Sequence, residues 1–383
     1  MQENAMKYEM LPLDRINRGF EPGLSAAVNA VIRSGHFIGG PTVARFESQL
    51  SDLCGVDYAV GVSTGLDALR LTLRAMVICG MIEAGDGVIV PANSFIASAL
   101  AIVDAGLKPV FADPSETDFL LHADEIERRA CEGVKAVMPV DLYGRIAATD
   151  SMLEVCRSRG LLIIEDAAQA IGASRRLDNG TIVNPGQWSD AAAFSFYPAK
   201  NVGALGDGGA VVTRHSELAA TIRALANYGE SQRYHCTLPG FNCRLDPIQA
   251  AALSVKLPRV GQENSARRRN ALLYRSMINA DERLILPPEP EDGDAVHQFV
   301  VRCVGIDRDR FRSRLGDRGV ATAIHYPVAI DRQEAMRDYA GTSRCEIAAR
   351  LSHEVVSLPV SSATSPDDIR AISAIINETL EDI

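Results

Sequence analysis

At 383 residues the chain is longer than the roughly 250 to 300 residues over which a single hydrophobic core keeps growing, so one large domain with a smaller companion is expected. Its 47% hydrophobic and 23% charged residues, with no run of about 18 apolar residues, exclude fibrous, disordered and membrane-spanning classes. A formal charge of -10 with only short basic clusters argues against nucleic-acid binding, and eight scattered cysteines with no C-x-x-C pair indicate a reducing compartment and no structural zinc.

The first ten residues carry Glu3, Lys7 and Glu9 and no signal-peptide core, so a soluble, cytoplasmic protein is expected. Leu24, Val28, Val31 and Ile32 recur at helical spacing, and Pro41 opens a second helix through Phe46, Leu50 and Leu53. Strands and helices then alternate. Strands are expected at Tyr58–Val62, Gly87–Val90, Lys108–Phe111, Val134–Val140 and Leu161–Asp166, with helices from Gly65, from Ser94, near Asp124 and near Ser151. Short β-branched runs between helices predict an α/β fold with a mostly parallel sheet covered on both faces. Two close strands follow at Ala191–Phe196 and Gly209–Thr213, then a helix over Ser216–Ala226 and a long, polar, turn-rich stretch from Asn227 to Leu245.

From Asp246 helices run to about Asn279, with Pro258 as a break, and the Pro287–Asp294 segment forms a rigid connector. A strand (Gln298–Val304), a helix (Arg308–Gly319), an edge segment (Ala321–Pro327) and helices near Ser343 and Asp367 complete a small α+β unit. The expected division is 1–254 for the large domain and 255–383 for the small one. Arg267-Arg268-Arg269, the densest basic cluster, reads as a solvated helix face or a set of local ion pairs. His235, Cys236 and Cys243 match no common zinc template, so no metal site is expected.

Ligands of open parallel sheets collect at the carboxyl ends of strands, and three such ends carry matching chemistry here. After Val62, the Thr64 hydroxyl with the Gly65 and Leu66 amides would face a phosphate at a helix N-terminus; taken alone, the same residues read as an ordinary N-cap. Asp166 ends the most apolar strand, where a carboxylate needs a cation or strong donor such as a protonated pyridine nitrogen; in isolation it also reads as a helix cap. Lys200 follows a strand bearing Ser195, and a desolvated lysine can form a Schiff base with a cofactor aldehyde. A phosphate cradle, a carboxylate and a lysine are together the three handles of pyridoxal 5'-phosphate, PLP.

With these features in place, the sequence resembles the DegT/StrS group of PLP-dependent sugar-nucleotide aminotransferases, which have the type I aspartate aminotransferase fold with a seven-stranded sheet. The resemblance covers nearly the whole chain. It is carried by Gly35-His36-Phe37-Ile38-Gly39-Gly40-Pro41, Pro91-Ala92-Asn93-Ser94-Phe95, Pro139-Val140-Asp141-Leu142-Tyr143-Gly144, Glu165 to Ala170, Phe194 to Gly209, Gly240 to Asp246 and His325-Tyr326-Pro327. It implies that Lys200 binds the cofactor covalently and shuttles the substrate proton, and that Asp166 keeps the pyridine nitrogen protonated. Phe95 would stack on the ring, Gln169 bond its hydroxyl, and Ser195 bond the phosphate. Asn242 would reach the phosphate of a neighbouring subunit's cofactor, which implies a homodimer. Tyr197, His325 and Tyr326 would stand near the substrate, with a structural hydrogen bond an equal reading for His325.

The resemblance further implies L-glutamate as amino donor and a nucleotide-linked keto sugar as acceptor. Leu66 within Gly65-Leu66-Asp67-Ala68-Leu69, Asn227-Tyr228-Gly229 and His325-Tyr326-Pro327 are similar to the branch acting on dTDP-3-keto-6-deoxyhexoses, whereas Asp141 stands where that branch carries His. The alternative is a non-catalytic PLP-binding regulator of the same fold, which the acidic charge and the lack of a basic DNA-reading appendage disfavour. A dinucleotide dehydrogenase is excluded because the first strand and helix lack G-x-G-x-x-G.

Overall fold

The computed structural model describes residues 6–341 and 344–383, and the helix expected near Ser343 centres on a residue outside that set. Seven strands form the main sheet: β1 (Tyr58–Val62), β2 (Gly87–Pro91), β3 (Lys108–Ala112), β4 (Val134–Val137), β5 (Leu162–Asp166), β6 (Ala191–Ser195) and β7 (Gly209–Thr213). Their order is β1-β7-β6-β5-β4-β2-β3. Only β7 runs antiparallel to its neighbours, so the other six strands deliver their carboxyl ends to one edge.

Period-two alternation explains why these strands read as unbroken apolar runs. Val137, Ile163 and Phe194 enter the core on one face, while Ala136, Ile164 and Ala193 enter the core on the other. Two expected boundaries move for local reasons. The helix expected from Ser94 begins at Ala97, because Ser94 Oγ first folds back to Pro91 O (3.3 Å) and Ser98 Oγ (3.2 Å). Strand β4 stops at Val137, and beyond it Val140 pairs with Asp166 in a single bridge.

Pro258 breaks the helical stretch as expected, in a 3-10 turn between Pro247–Lys256 and Val260–Met277. A separate three-stranded antiparallel sheet follows, built from β8 (Leu284–Ile285), β9 (Phe299–Cys303) and β10 (Val355–Leu358). Tyr274, Phe299, Phe311 and Ile372 anchor its core, with the Tyr274 and Phe299 rings stacked 4.9 Å apart. Tyr8 joins that core, its N–H donating to Gly319 O at 2.9 Å. The edge segment 321–327 pairs with this sheet through the Ala323–Ser357 bridge, and the 227–245 stretch contains a small hairpin of Glu230–Gln232 with His235–Cys236.

One expectation about the basic cluster is corrected. Arg269 is exposed, but Arg267 is 2% exposed and its guanidinium donates to Val360 O (3.1 Å) and His297 O (3.3 Å). Five donors on a long stem let an arginine serve buried carbonyls, so the polar sequence pattern hides an inward-facing side chain. Among the described residues no helix is long and apolar enough to cross a membrane, and no group of three His, Cys, Asp or Glu is placed to hold a metal ion.

Candidate active site

Strand β1 ends in a cradle. The Thr64 hydroxyl caps the Gly65–Ile78 helix by accepting from Asp67 N at 2.9 Å, which leaves its own hydrogen free to donate. Gly65 backs directly onto the end of β6: a Cβ there would lie 2.6 Å from Ser195 Cβ. Only glycine lets that helix start and that strand end meet, which brings the Gly65 and Leu66 amides beside the Thr64 and Ser195 hydroxyls. Donors and the positive helix end converge on one point suited to a phosphate. Gly209 holds the same corner from the antiparallel strand, where a Cβ would lie 2.2 Å from Thr64 O.

Strand β5 ends at Asp166, which is 5% exposed. Its Oδ2 accepts from Ser98 Oγ at 2.8 Å and its Oδ1 from Ala168 N at 3.2 Å; Asp166 caps no helix, only a turn. Burial raises its carboxyl above the ordinary range, opposed by those two donors and by the charge of Lys200. The alternation that aims Asp166 at the site sends Glu165 to the opposite face, where Gly186 N (2.8 Å), Trp188 Nε1 (3.0 Å) and Ser189 Oγ (2.9 Å) donate to it. Glu165 adjoins the buried Asp141. Burial lifts both, Glu165 to about 7 and Asp141 well above its usual value, and the charge of Glu165 raises Asp141 further.

Lys200 sits just past β6, its backbone N–H closing a turn onto Tyr197 O at 2.8 Å. The side chain is half-buried, and desolvation lowers its amine to about 8 against the opposing pull of Asp166. That is the environment that makes a lysine nucleophilic near neutral pH.

The far wall comes from distant segments. Gln169 Oε1 accepts from Tyr143 N at 2.6 Å, and its Nε2 donates to the Tyr326 hydroxyl at 3.2 Å. The Tyr143 hydroxyl donates to His325 O, and His325 Nδ1 lies 2.7 Å from Ser357 Oγ. Burial, followed by the charge of Lys200, lowers His325 to about 4. Phe95 and Tyr326 form a tilted aromatic pair with centroids 5.5 Å apart, and the Phe95 ring remains 57% exposed on the cleft. Tyr197 is likewise exposed at the rim.

These parts enclose a cleft of about 540 Å³. Every residue expected at the site lines it except Asn242, which is exposed on the 227–245 loop and bridges to Asn227. The cleft also takes in Asp207, His297 and Gln298, with Ser98 and Tyr143 behind it. Tyr143 and Asp207 fall within motifs that carry the family resemblance but had no role assigned, and Ser98, His297 and Gln298 fall in no such motif. The available sequence signals are weak: Ser98 stands one helical turn after Ser94, and His297 immediately precedes the strand expected from Gln298.

The residues present fit PLP. Donors that glycine alone permits converge on one anion, a buried carboxyl with a raised proton affinity awaits a cationic partner, and a desolvated amine opens on the same cavity. The profile of the DegT/DnrJ/EryC1/StrS aminotransferase family matches residues 22–377. The chain is 40% identical over 356 residues to a dTDP-3-amino-3,4,6-trideoxy-alpha-D-glucose transaminase of Streptomyces venezuelae, covering 91% of this chain and 90% of that one. It is 39% identical to a dTDP-3-amino-3,6-dideoxy-alpha-D-galactopyranose transaminase of Aneurinibacillus thermoaerophilus, covering 96% and 98%. Among solved structures, S. venezuelae DesV in complex with a ketimine intermediate superposes with a TM-score of 0.92 at 36% identity, covering 99% of this chain and 100% of that one. The chain therefore has the type I PLP-transferase fold and belongs to the PLP-dependent DegT/DnrJ/EryC1/StrS aminotransferase family.

Proposed function

We propose that this aminotransferase moves an amino group from L-glutamate to a nucleotide-linked keto sugar, a dTDP-3-keto-6-deoxyhexose, in amino-sugar biosynthesis. The observation that carries the reading is the meeting of cradle, carboxyl and amine around one cleft in a chain whose relatives are named as dTDP-amino-sugar transaminases. The cleft, at about 540 Å³, suits a ligand larger than an amino acid alone.

PLP, when bound, supplies an aldehyde for covalent attachment of amines and a protonated ring that accepts an electron pair from the substrate carbon. Lys200 is the attachment point. Its amine, poised at about 8, can both release and recover a proton at neutral pH, which suits it to carry the substrate proton. Asp166 holds the ring nitrogen in its charged form, and that cation in turn relieves the cost of burying the carboxylate. The Thr64 and Ser195 hydroxyls with the Gly65 and Leu66 amides hold the phosphate. Phe95 would cover a face of the ring, and Gln169, already fixed by Tyr143, would serve its hydroxyl. Tyr197, His325 and Tyr326 flank the substrate.

Asn242 is exposed on its loop and lies outside the lining of its own cleft, and we assign it to the cofactor phosphate of a second subunit, so that the working unit is a homodimer. All eight cysteines are free, in keeping with a cytoplasmic location. The test is a two-stage assay. L-glutamate alone should yield 2-oxoglutarate at about one equivalent per site, and added nucleotide-linked 3-keto-6-deoxyhexose should permit many turnovers. A single turnover with glutamate that no nucleotide keto sugar extends would overturn the assignment and favour a regulatory role.

A further inference from the structure

His297 lies in none of the motifs that carry the family resemblance, yet it is 9% exposed, lines the cleft and has partners at its backbone N–H, its carbonyl and Nδ1. Its backbone N–H donates to Tyr143 O at 2.8 Å. Gly144, at φ 97, approaches so closely that a Cβ would lie 2.7 Å from His297 N, so this contact requires glycine.

The ring tautomer follows from a chain of amides. Asn264 Nδ2 donates to Ile171 O at 2.9 Å, so Asn264 Oδ1 is the atom that accepts from Asn201 Nδ2 at 2.9 Å. The same Asn201 Nδ2 donates to Ala295 O at 2.9 Å. Both Asn201 amide hydrogens are thereby committed, and Oδ1 is the atom 3.0 Å from His297 Nδ1. Nδ1 must carry the ring hydrogen, which leaves Nε2 with a bare lone pair. Burial, then the charges of Lys200, Arg267 and His325, hold this imidazole neutral.

We infer that His297 Nε2 is a fixed hydrogen-bond acceptor for a hydroxyl group of the sugar substrate, and that His297 is thus a specificity-determining residue. This rests on the sugar reading of the cleft. Phosphate and carboxylate oxygens offer only lone pairs to a lone pair, whereas a sugar hydroxyl donates. Gln298, the next residue, lines the same cleft.

Two measurements on the holoenzyme test this. In protein with nitrogen-15-labelled histidines, of which the chain has seven, long-range proton–nitrogen correlation should show a neutral Nδ1–H ring that is lost in His297→Phe. An Nε2–H or doubly protonated His297 overturns the inference. In stopped-flow half-reactions, His297→Phe should raise KM for the sugar about threefold to tenfold, the worth of one neutral hydrogen bond, and raise KM for glutamate less. Equal losses in both half-reactions mean a structural role only, and an unchanged sugar KM means no contact; either result overturns it. Wild-type protein that turns over no nucleotide keto sugar defeats the proposed function itself, and is told apart because the tautomer experiment needs no substrate.

Discussion

Ser98 Oγ donates to Asp166 Oδ2 at 2.8 Å, from a helix that starts three residues later than its sequence suggests. The bond is one of two that oppose the burial-driven rise of the Asp166 carboxyl. Ser98→Ala should push the Asp166 carboxyl higher still and weaken PLP binding about tenfold, the usual worth of a hydrogen bond to a charged group. Equilibrium dialysis of the cofactor measures this; unchanged affinity would show that Ser98 does not support Asp166.

Lys200 is lowered to about 8 by burial, with the carboxylate of Asp166 opposing. The fraction of reactive free amine therefore rises with pH through that value. The rate at which cofactor-free protein captures PLP should climb through a midpoint near 8. In Asp166→Asn the opposing charge is gone and the midpoint should move down; an upward move would contradict the assigned cause.

Gly65→Ala places a methyl 2.6 Å from Ser195 Cβ, where backbone on both sides must shift. Overpacking of this kind costs about 1 to 3 kcal/mol, and the displaced amides should also loosen the phosphate. Thermal denaturation with and without PLP should show a lower Tm and a smaller stabilisation by the cofactor. A variant with native Tm and native cofactor response would remove the cradle from the account.

The Asp141–Glu165 pair makes stability depend on pH with a defined sign. Both carboxyls are raised by burial, so the folded chain retains protons that the unfolded chain has released. Their stabilising contribution is complete below the ordinary carboxylate range and is lost as pH rises, for Glu165 through about 7. Urea unfolding at acidic and mildly alkaline pH should show this loss, and Asp141→Asn should shrink it. The same loss in the variant would mean the two groups do not act together.

Most of the fold and the floor of the cleft were legible in the sequence because they depend on local order. Alternating β-branched runs gave the parallel sheet, and Asp166 and Lys200 stand at strand ends where chemistry collects. The rest depends on contacts that sequence spacing does not encode. Tyr143 meets Gln169 only because the chain adopts a positive φ of 60 there, and His297 reaches Asn201 across 96 residues. Arg267 reads as a surface residue because it stands in the Arg267-Arg268-Arg269 run, whereas carbonyl oxygens of neighbouring segments draw it inward. Asp141 carried a signal, an acid where the resembled branch has His, but its pairing with Glu165 required the register of adjacent strand ends.

The central claim is that one lysine organises the site. Borohydride reduction of the holoenzyme, followed by proteolysis and peptide mass spectrometry, tests it most directly. The pyridoxyl group should be found on the peptide containing Lys200 and be absent from the Lys200→Ala variant. Labelling of another lysine in the wild-type protein, or no label at all, would contradict it.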